Sequence, residues 1–203
     1  MFRELLADKF SAYGVLSFQQ LRTLEEHYRL LLRWNETLNL TRIVGVDDAV
    51  RLHYCESLFV GTKIPADPIR ILDLGSGAGF PGIPLAILRP ECGVDLVESN
   101  KRKAVFLREA SRGLSNVRVI SDRAELIEAR QWDWLVSRAV RPGEVLGLGL
   151  ARRSALLMSS NNLKDLPQPG LVFNVPWGAN RILAMFHVEH LNAPAILFPP
   201  GIR

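Results

Sequence analysis

The sequence predicts an α/β fold: a mostly parallel sheet with helices on both faces, preceded by a helical segment and closed by an antiparallel hairpin. Three observations carry this. From Ile69 to Ser137, short apolar runs alternate with helix-patterned stretches, as successive βαβ units require. The first run ends in a glycine-rich turn, Asp73-Leu74-Gly75-Ser76-Gly77-Ala78-Gly79-Phe80-Pro81-Gly82. Ahead of Pro65 the apolar residues recur instead at the spacing of amphipathic helices.

Ser17 and Gln20 form a capping-box pair, and Leu21, Leu24, Tyr28, Leu31 and Leu32 continue one helix through Leu38. A second helix is expected from Asp47 or Asp48, as N-cap, through Leu52 and Leu58 to Gly61 as C-cap. Pro65 and Pro68 then mark a break. The alternation that follows reads as strand 69–74, helix 84–88, strand 94–97, helix 101–112, strand 117–120, a short helix near 123–129 and strand 134–137. Residues 155–158, 171–175 and 182–187 suit further strands, with Trp177-Gly178-Ala179-Asn180 turning the last two into a hairpin. The tail from Leu191, with Pro194, Pro199 and Pro200, is expected to be irregular. The chain thus divides into a helical extension, 1–63, and a sheet domain, 64–203, that make one compact unit.

Composition narrows the class. The chain has 203 residues, 48% of them hydrophobic, enough for a full core. Two cysteines, Cys55 and Cys92, provide neither a disulfide framework nor a structural zinc set. No stretch approaches the roughly 20 apolar residues that span a bilayer. The expectation is a soluble cytoplasmic monomer without metal or membrane association. A net charge of +4 and a pI near 9.4 suit a polyanionic partner, although such values are common.

In a parallel sheet, ligands bind beyond the carboxyl ends of the strands. The turn after the first strand removes Cβ atoms, so that backbone N–H groups and a helix N-terminus are expected to face a nucleotide-like ligand. The window Gly77 to Gly82 spells GxGxxG, which raises a nicotinamide oxidoreductase as one reading. However, Gly75 occupies the strand end and Asp73 stands two residues before it. Asp-x-Gly-x-Gly-x-Gly resembles the S-adenosylmethionine loop of class I methyltransferases, a Rossmann-like fold, with Asp73, Gly75, Ser76 and Gly77 at the cofactor. The next strand ends at Glu98, whose carboxylate suits the two ribose hydroxyls. The third strand leads to Ser121-Asp122-Arg123-Ala124-Glu125, where backbone groups of Ala124 and Glu125 suit the adenine edge.

The fourth strand ends Val136-Ser137-Arg138-Ala139. The Asp or Asn before Pro-Pro-Tyr expected of an exocyclic-amine methyltransferase is missing here, as is the cysteine nucleophile of a pyrimidine-C5 enzyme. A ring nitrogen with a free lone pair, such as guanine N7, needs no prior deprotonation. Alignment then carries the catalysis, and positioning can supply about 7–11 kcal/mol.

Taken together, Trp34-Asn35-Glu36-Thr37-Leu38-Asn39-Leu40-Thr41, His53-Tyr54-Cys55-Glu56-Ser57-Leu58, the loop Gly75 to Pro84, Lys101-Arg102-Lys103 with Phe106-Leu107, and Ser137-Arg138-Ala139 resemble the bacterial 16S rRNA guanine-N7 methyltransferases, the glucose-inhibited division protein B family. The resemblance covers about residues 17–140. It implies a class I methyltransferase fold acting with S-adenosylmethionine on 16S ribosomal RNA or the small ribosomal subunit. It also implies cofactor contacts at Gly75, Phe80, Ala124, Glu125 and Arg138. Arg138 is the candidate catalytic residue, suited to hold phosphate, guanine O6 or the cofactor carboxylate, with an ion pair to a helix-start acid as the structural alternative. The chain departs from the family at Glu56, where Asp is usual, and at Ser159-Ser160-Asn161-Asn162, where a Lys-Gly pair is usual. That second departure keeps a non-catalytic RNA-binding or assembly factor among the readings. His53 reads as a buried hydrogen-bonding histidine. Packing and capping account for Trp34, Asn35 and Asn39 as well as RNA contact does.

Overall fold

The computed structural model describes residues 1–128 and 131–187. Two helices come first, α1 (Phe2–Phe10) and α2 (Phe18–Leu38), followed by a longer rod made of α3 (Val46–Ala49), a π-helical segment (Val50–Cys55) and α4 (Glu56–Lys63). The capping box at Ser17 and Gln20 is present in both directions, a contribution of about 1 kcal/mol.

The sheet then begins. Its elements are β1 (Arg70–Leu74), α5 (Gly82–Leu88), β2 (Gly93–Val97), α6 (Lys101–Ala110), β3 (Val117–Ile120), a 3-10 turn (Ala124–Leu126), β4 (Trp132–Arg138), α7 (Pro142–Gly147), β5 (Ala151–Ser159), a second 3-10 turn (Ser160–Asp165), β6 (Leu171–Asn174) and β7 (Arg181–His187). The seven strands run in the order β3-β2-β1-β4-β5-β7-β6. Strands β1 to β5 are mutually parallel, whereas β7 is antiparallel to both β5 and β6. The α/β expectation and the closing hairpin both hold. Strand order reverses at β1 and β4, and a crevice opens beyond their carboxyl ends at such a switch point.

Each face of the sheet has its own core. On one face, Ile71, Leu96, Val136, Leu157 and Leu183 share a buried cluster with Phe2, Leu6 and Phe10 of α1, Leu24 and Leu31 of α2, and Leu58 of α4. On the other, Leu72, Leu74, Leu135, Leu156 and Phe186 pack with Val145 and Leu146 of α7. Helices α1, α2 and α4 are therefore part of the sheet's own core.

Several boundaries move. Asp47 and Asp48 lie inside the first turn of α3, where both bind Arg51, and the N-cap is Gly45. Gly61 is interior to α4, not its C-cap, because α5 crosses there: a Cβ would stand 2.8 Å from Leu88 Cδ2. Helix α6 stops at Ala110, and β4 and β5 are longer than the apolar runs that marked them, since Arg152 and Arg153 are exposed on β5. Helix α7, six residues opened by Pro142, has too short a pattern to be read from sequence. The short helix near 123–129 is a single 3-10 turn over Ala124–Leu126. Ala129 and the tail from Leu191 lie outside the described residues. Among the described residues, no helix is long and apolar enough to cross a membrane.

Candidate active site

The loop after β1 is shaped by three residues in the left-handed region, Gly75 (φ +73°), Gly77 (φ +55°) and Gly79 (φ +86°). A Cβ on Gly75 would lie 2.6 Å from Val140 Cγ2, so a side chain there is excluded by space as well as by backbone. The expectation that bare N–H groups face the ligand is not met. Gly75 and Ser76 donate to the Val97 carbonyl at 2.9 and 3.1 Å, and Gly77 donates to Glu98 Oε2 at 3.0 Å. Gly79 and Phe80 donate to the Ser76 carbonyl at 2.7 and 3.1 Å. At the start of α5, Gly82 donates to Asp73 Oδ2 at 2.9 Å and Ile83 donates to the Gly79 carbonyl at 2.8 Å. The bend thus supplies room and carbonyls, with almost no free donors for a pyrophosphate.

Asp73 lies beneath the loop, wholly buried. Its Oδ1 has no hydrogen-bond partner among the described residues. Burial pushes the carboxyl up to about 7, against the opposing pull of the Gly82 amide. Ser76, also buried, closes the turn by donating its hydroxyl to the Asp73 carbonyl at 2.9 Å. Glu98, buried at the end of β2, receives Gly77 N–H on one oxygen and Asn100 N–H on the other at 2.8 Å. A carboxylate has about four acceptor positions, so room for two more donors is left.

Two cavities meet over Gly75. The first, about 390 Å³, is walled by Gly75, Glu98, Asp122, Ala124, Glu125 and, from the far side, Val140 and Val145. The second, about 270 Å³, runs along Ser76, Gly77, Ala78 and Phe80 to Lys103 and Arg138. Gly75, Glu98 and Val140 belong to both. Gly75, Glu98, Ala124 and Glu125 are therefore together, while Ser76, Phe80 and Arg138 gather one step along; Asp73 lines neither. A third cavity, about 570 Å³, continues beyond Arg138 and is walled by Thr41, Arg42, His53, Glu56 and Arg181.

Arg138 is clamped from the helical rod. Its Nη1 donates to the Leu52 carbonyl at 2.7 Å and lies 3.0 Å from His53 Nδ1. The guanidinium sits over the Phe80 ring at 5.0 Å, and His53 stacks on that same ring at 4.5 Å. Glu56, the acid at the start of α4, approaches Arg138 to 3.9 Å but takes its main partner from β7, Arg181, at 2.9 Å. Burial brings the Arg138 guanidinium down to about 10, with Glu56 opposing the shift. For His53, burial first and the Arg138 charge second hold the imidazole at about 3. It is neutral at working pH.

The loop is also braced from α2. His27, buried, bonds Tyr54 Oη through Nδ1 at 2.8 Å and the Ala78 carbonyl through Nε2 at 3.1 Å. Burial keeps it neutral, at about 4. Trp34 packs edge-on to Phe106, Asn39 caps α2 with left-handed backbone, and Asn35 holds the chain at Thr41. Asp122 is not a helix N-cap; its Oδ1 accepts from Arg123 N at 2.8 Å. Sequence reasoning missed His27, Val140, Val145 and Arg181. Of these only His27 carried a signal, as the polar residue on an otherwise apolar helix face.

The family model described as rRNA small subunit methyltransferase G matches residues 20–152. The protein of that name from Pelotomaculum thermopropionicum is 41% identical over 140 residues, 65% of this chain and 59% of that protein. The one from Chromobacterium violaceum is 42% identical over 127 residues, 61% of this chain and 60% of that protein. The chain thus spans about three fifths of the length of these relatives. Among solved structures, a SAM dependent methyltransferase from Aquifex aeolicus superposes with a TM-score of 0.53 at 16% identity, covering 68% of this chain and 93% of that one. A ribosomal protein L11 methylase from Lactobacillus delbrueckii subsp. bulgaricus gives 0.54 at 12% identity, with 67% and 78% covered. At those identities the likeness shows the fold, that of the class I methyltransferases. The chain belongs to the rRNA small subunit methyltransferase G family.

Proposed function

We propose that this chain transfers a methyl group from S-adenosylmethionine to N7 of a guanine in small-subunit ribosomal RNA. The observation that carries the reading is the donor-poor, carboxylate-lined cleft over Gly75, opening onto an arginine-walled cavity. A nicotinamide dinucleotide brings a pyrophosphate and needs free N–H groups at the bend; here those groups are spent on protein carbonyls and on Glu98. S-Adenosylmethionine has no phosphate. Its ribose suits the remaining acceptor positions of Glu98, its adenine suits the wall at Ala124 and Glu125, and its ammonium suits the second cavity. The bound group supplies an electrophilic methyl on a sulfonium.

The protein's own part is placement. Gly75, Gly77 and Phe80 shape the second cavity, while Arg138 stands at its mouth, held by Leu52, His53 and Phe80. No general base is needed for N7, and His53 is not one: held at about 3 it is too weak a base, and its Nδ1 lone pair is taken by Arg138. Arg42, Arg138 and Arg181 line the third cavity, which suits the phosphodiester backbone of a single RNA strand. Charge of this kind makes affinity fall with salt. We take the enzyme to work as a cytoplasmic monomer on ribosomal RNA or the small subunit, with residues 1–63 and 64–203 acting as one unit.

Labelled methyl transfer to ribosomal RNA from a strain lacking this modification, followed by nucleoside mass spectrometry, tests the reading. It predicts 7-methylguanosine; methyl incorporation at an amine or a ribose would overturn it. Calorimetry with S-adenosylmethionine, NAD and NADP separates the cofactors, with binding expected for the first alone.

A further inference from the structure

Hydrogen-bond direction can be traced outward from Arg138. A guanidinium has only donors, so His53 Nδ1, 3.0 Å from Arg138 Nη1, must be the acceptor. The Nδ1 contact to the Leu52 carbonyl, longer at 3.3 Å, would need a proton on Nδ1 facing an arginine N–H head-on. The ring proton therefore sits on Nε2, which donates to Thr41 Oγ1 at 2.9 Å. Ile43 N–H donates to the same oxygen at 3.0 Å. Both lone pairs of the Thr41 hydroxyl are taken. Its own hydrogen has no acceptor among the described residues, and Thr41 walls both the second and the third cavity. The position is fixed from α2, since Asn35 accepts from Thr41 N at 2.8 Å and donates to its carbonyl at 2.9 Å.

We infer that the Thr41 hydroxyl is a specificity-determining donor that reads O6 of the target purine. The inference rests on the methyl-transfer reading above. The major-groove edge of guanine offers two adjacent acceptors, N7 and O6, whereas adenine offers N7 beside an amino donor. N7 must stay open to receive the methyl group, so a forced donor at this spot belongs to O6. Against adenine the same hydroxyl meets a second donor.

The test couples a change in the protein to a change in the base. RNA carrying guanosine, inosine or 2-aminopurine at the methylated position is compared by kcat/KM; inosine keeps O6, and 2-aminopurine lacks it. The unaltered protein should treat guanosine and inosine alike and 2-aminopurine about tenfold or more worse. Thr41→Ser should preserve that ratio. Thr41→Val should erase the ratio, bringing guanosine and 2-aminopurine to one level, on top of any loss both share because His53 Nε2–H has lost its acceptor. Because valine leaves both Ile43 N–H and His53 Nε2–H unpaired, Thr41→Ala, which gives water access, is run beside it, with thermal melting and cofactor titration confirming both folds. An equal loss on all three RNAs, ratio intact, would overturn the inference and leave Thr41 a support for His53. So would an unaltered protein that does not discriminate. No methyl transfer to the guanosine RNA at all would sink the parent reading instead.

Discussion

Around the first cavity, the polar wall comes from turns that directly follow strands: Gly75 after β1, Glu98 after β2, Ala124 and Glu125 after β3. Around Arg138, by contrast, partners are far apart in the chain. Arg138 reaches His53 across 85 positions, and Arg181 reaches Glu56 across 125. The first region is a set of strand ends that any parallel sheet would line up. The second exists only once the helical rod and the final hairpin have both docked. Changes in the first should therefore act on ligand affinity, and changes in the second on turnover and stability together.

The largest effect is expected at the shared wall. Gly75→Ala places a Cβ against Val140 at a left-handed backbone position, and non-glycine strain of this kind costs about 1–3 kcal/mol. Titration calorimetry should detect no cofactor binding, and the melting temperature should fall. Next comes Arg138→Ala, which leaves the Leu52 carbonyl, His53 Nδ1 and Glu56 short of a partner. Single-turnover methyl transfer should drop about a hundredfold, as misplacement at a reacting centre does, while circular dichroism still shows a folded protein with a lower melting point. Near-normal turnover would break the comparison. Glu98→Gln should weaken cofactor binding by about tenfold, the scale of one charged hydrogen bond, with little change in the rate at saturation.

The smallest effect is a pH slope. His27 and His53 are held at about 4 and about 3, below their unfolded value, so each contributes stability that is lost as pH falls below about 6.5. Asp73 has the opposite sign. Raised to about 7, it contributes stability that is full below its unfolded value and is lost as pH climbs through about 7. Between pH 5 and 6 the unfolded chain thus binds about two histidine protons more and one carboxyl proton fewer, a net slope of about 1.4 kcal/mol per pH unit. Denaturant melts should show stability falling toward pH 5, and falling more steeply in Asp73→Asn.

What was legible follows the same division. The order of β1 to β4, the glycine bend and the strand-end acid Glu98 were readable because each is encoded within a few consecutive residues. Arg181 was not, because its meaning lies in a buried glutamate from another element. Likewise the loop glycines pointed to this bend, over which two cavities meet, but the use of their N–H groups depends on Val97 and Glu98, the neighbouring strand's end. Gly61 misled for a related reason: a helix-crossing contact and a helix terminus both ask for a residue without a side chain.

The strut from His27 to the Ala78 carbonyl has a practical corollary for engineering. A recombinant half grafted from this chain without its leading helices would carry a bend that has lost its prop at Ala78, so swaps between homologues should transplant α2 together with the glycines it braces.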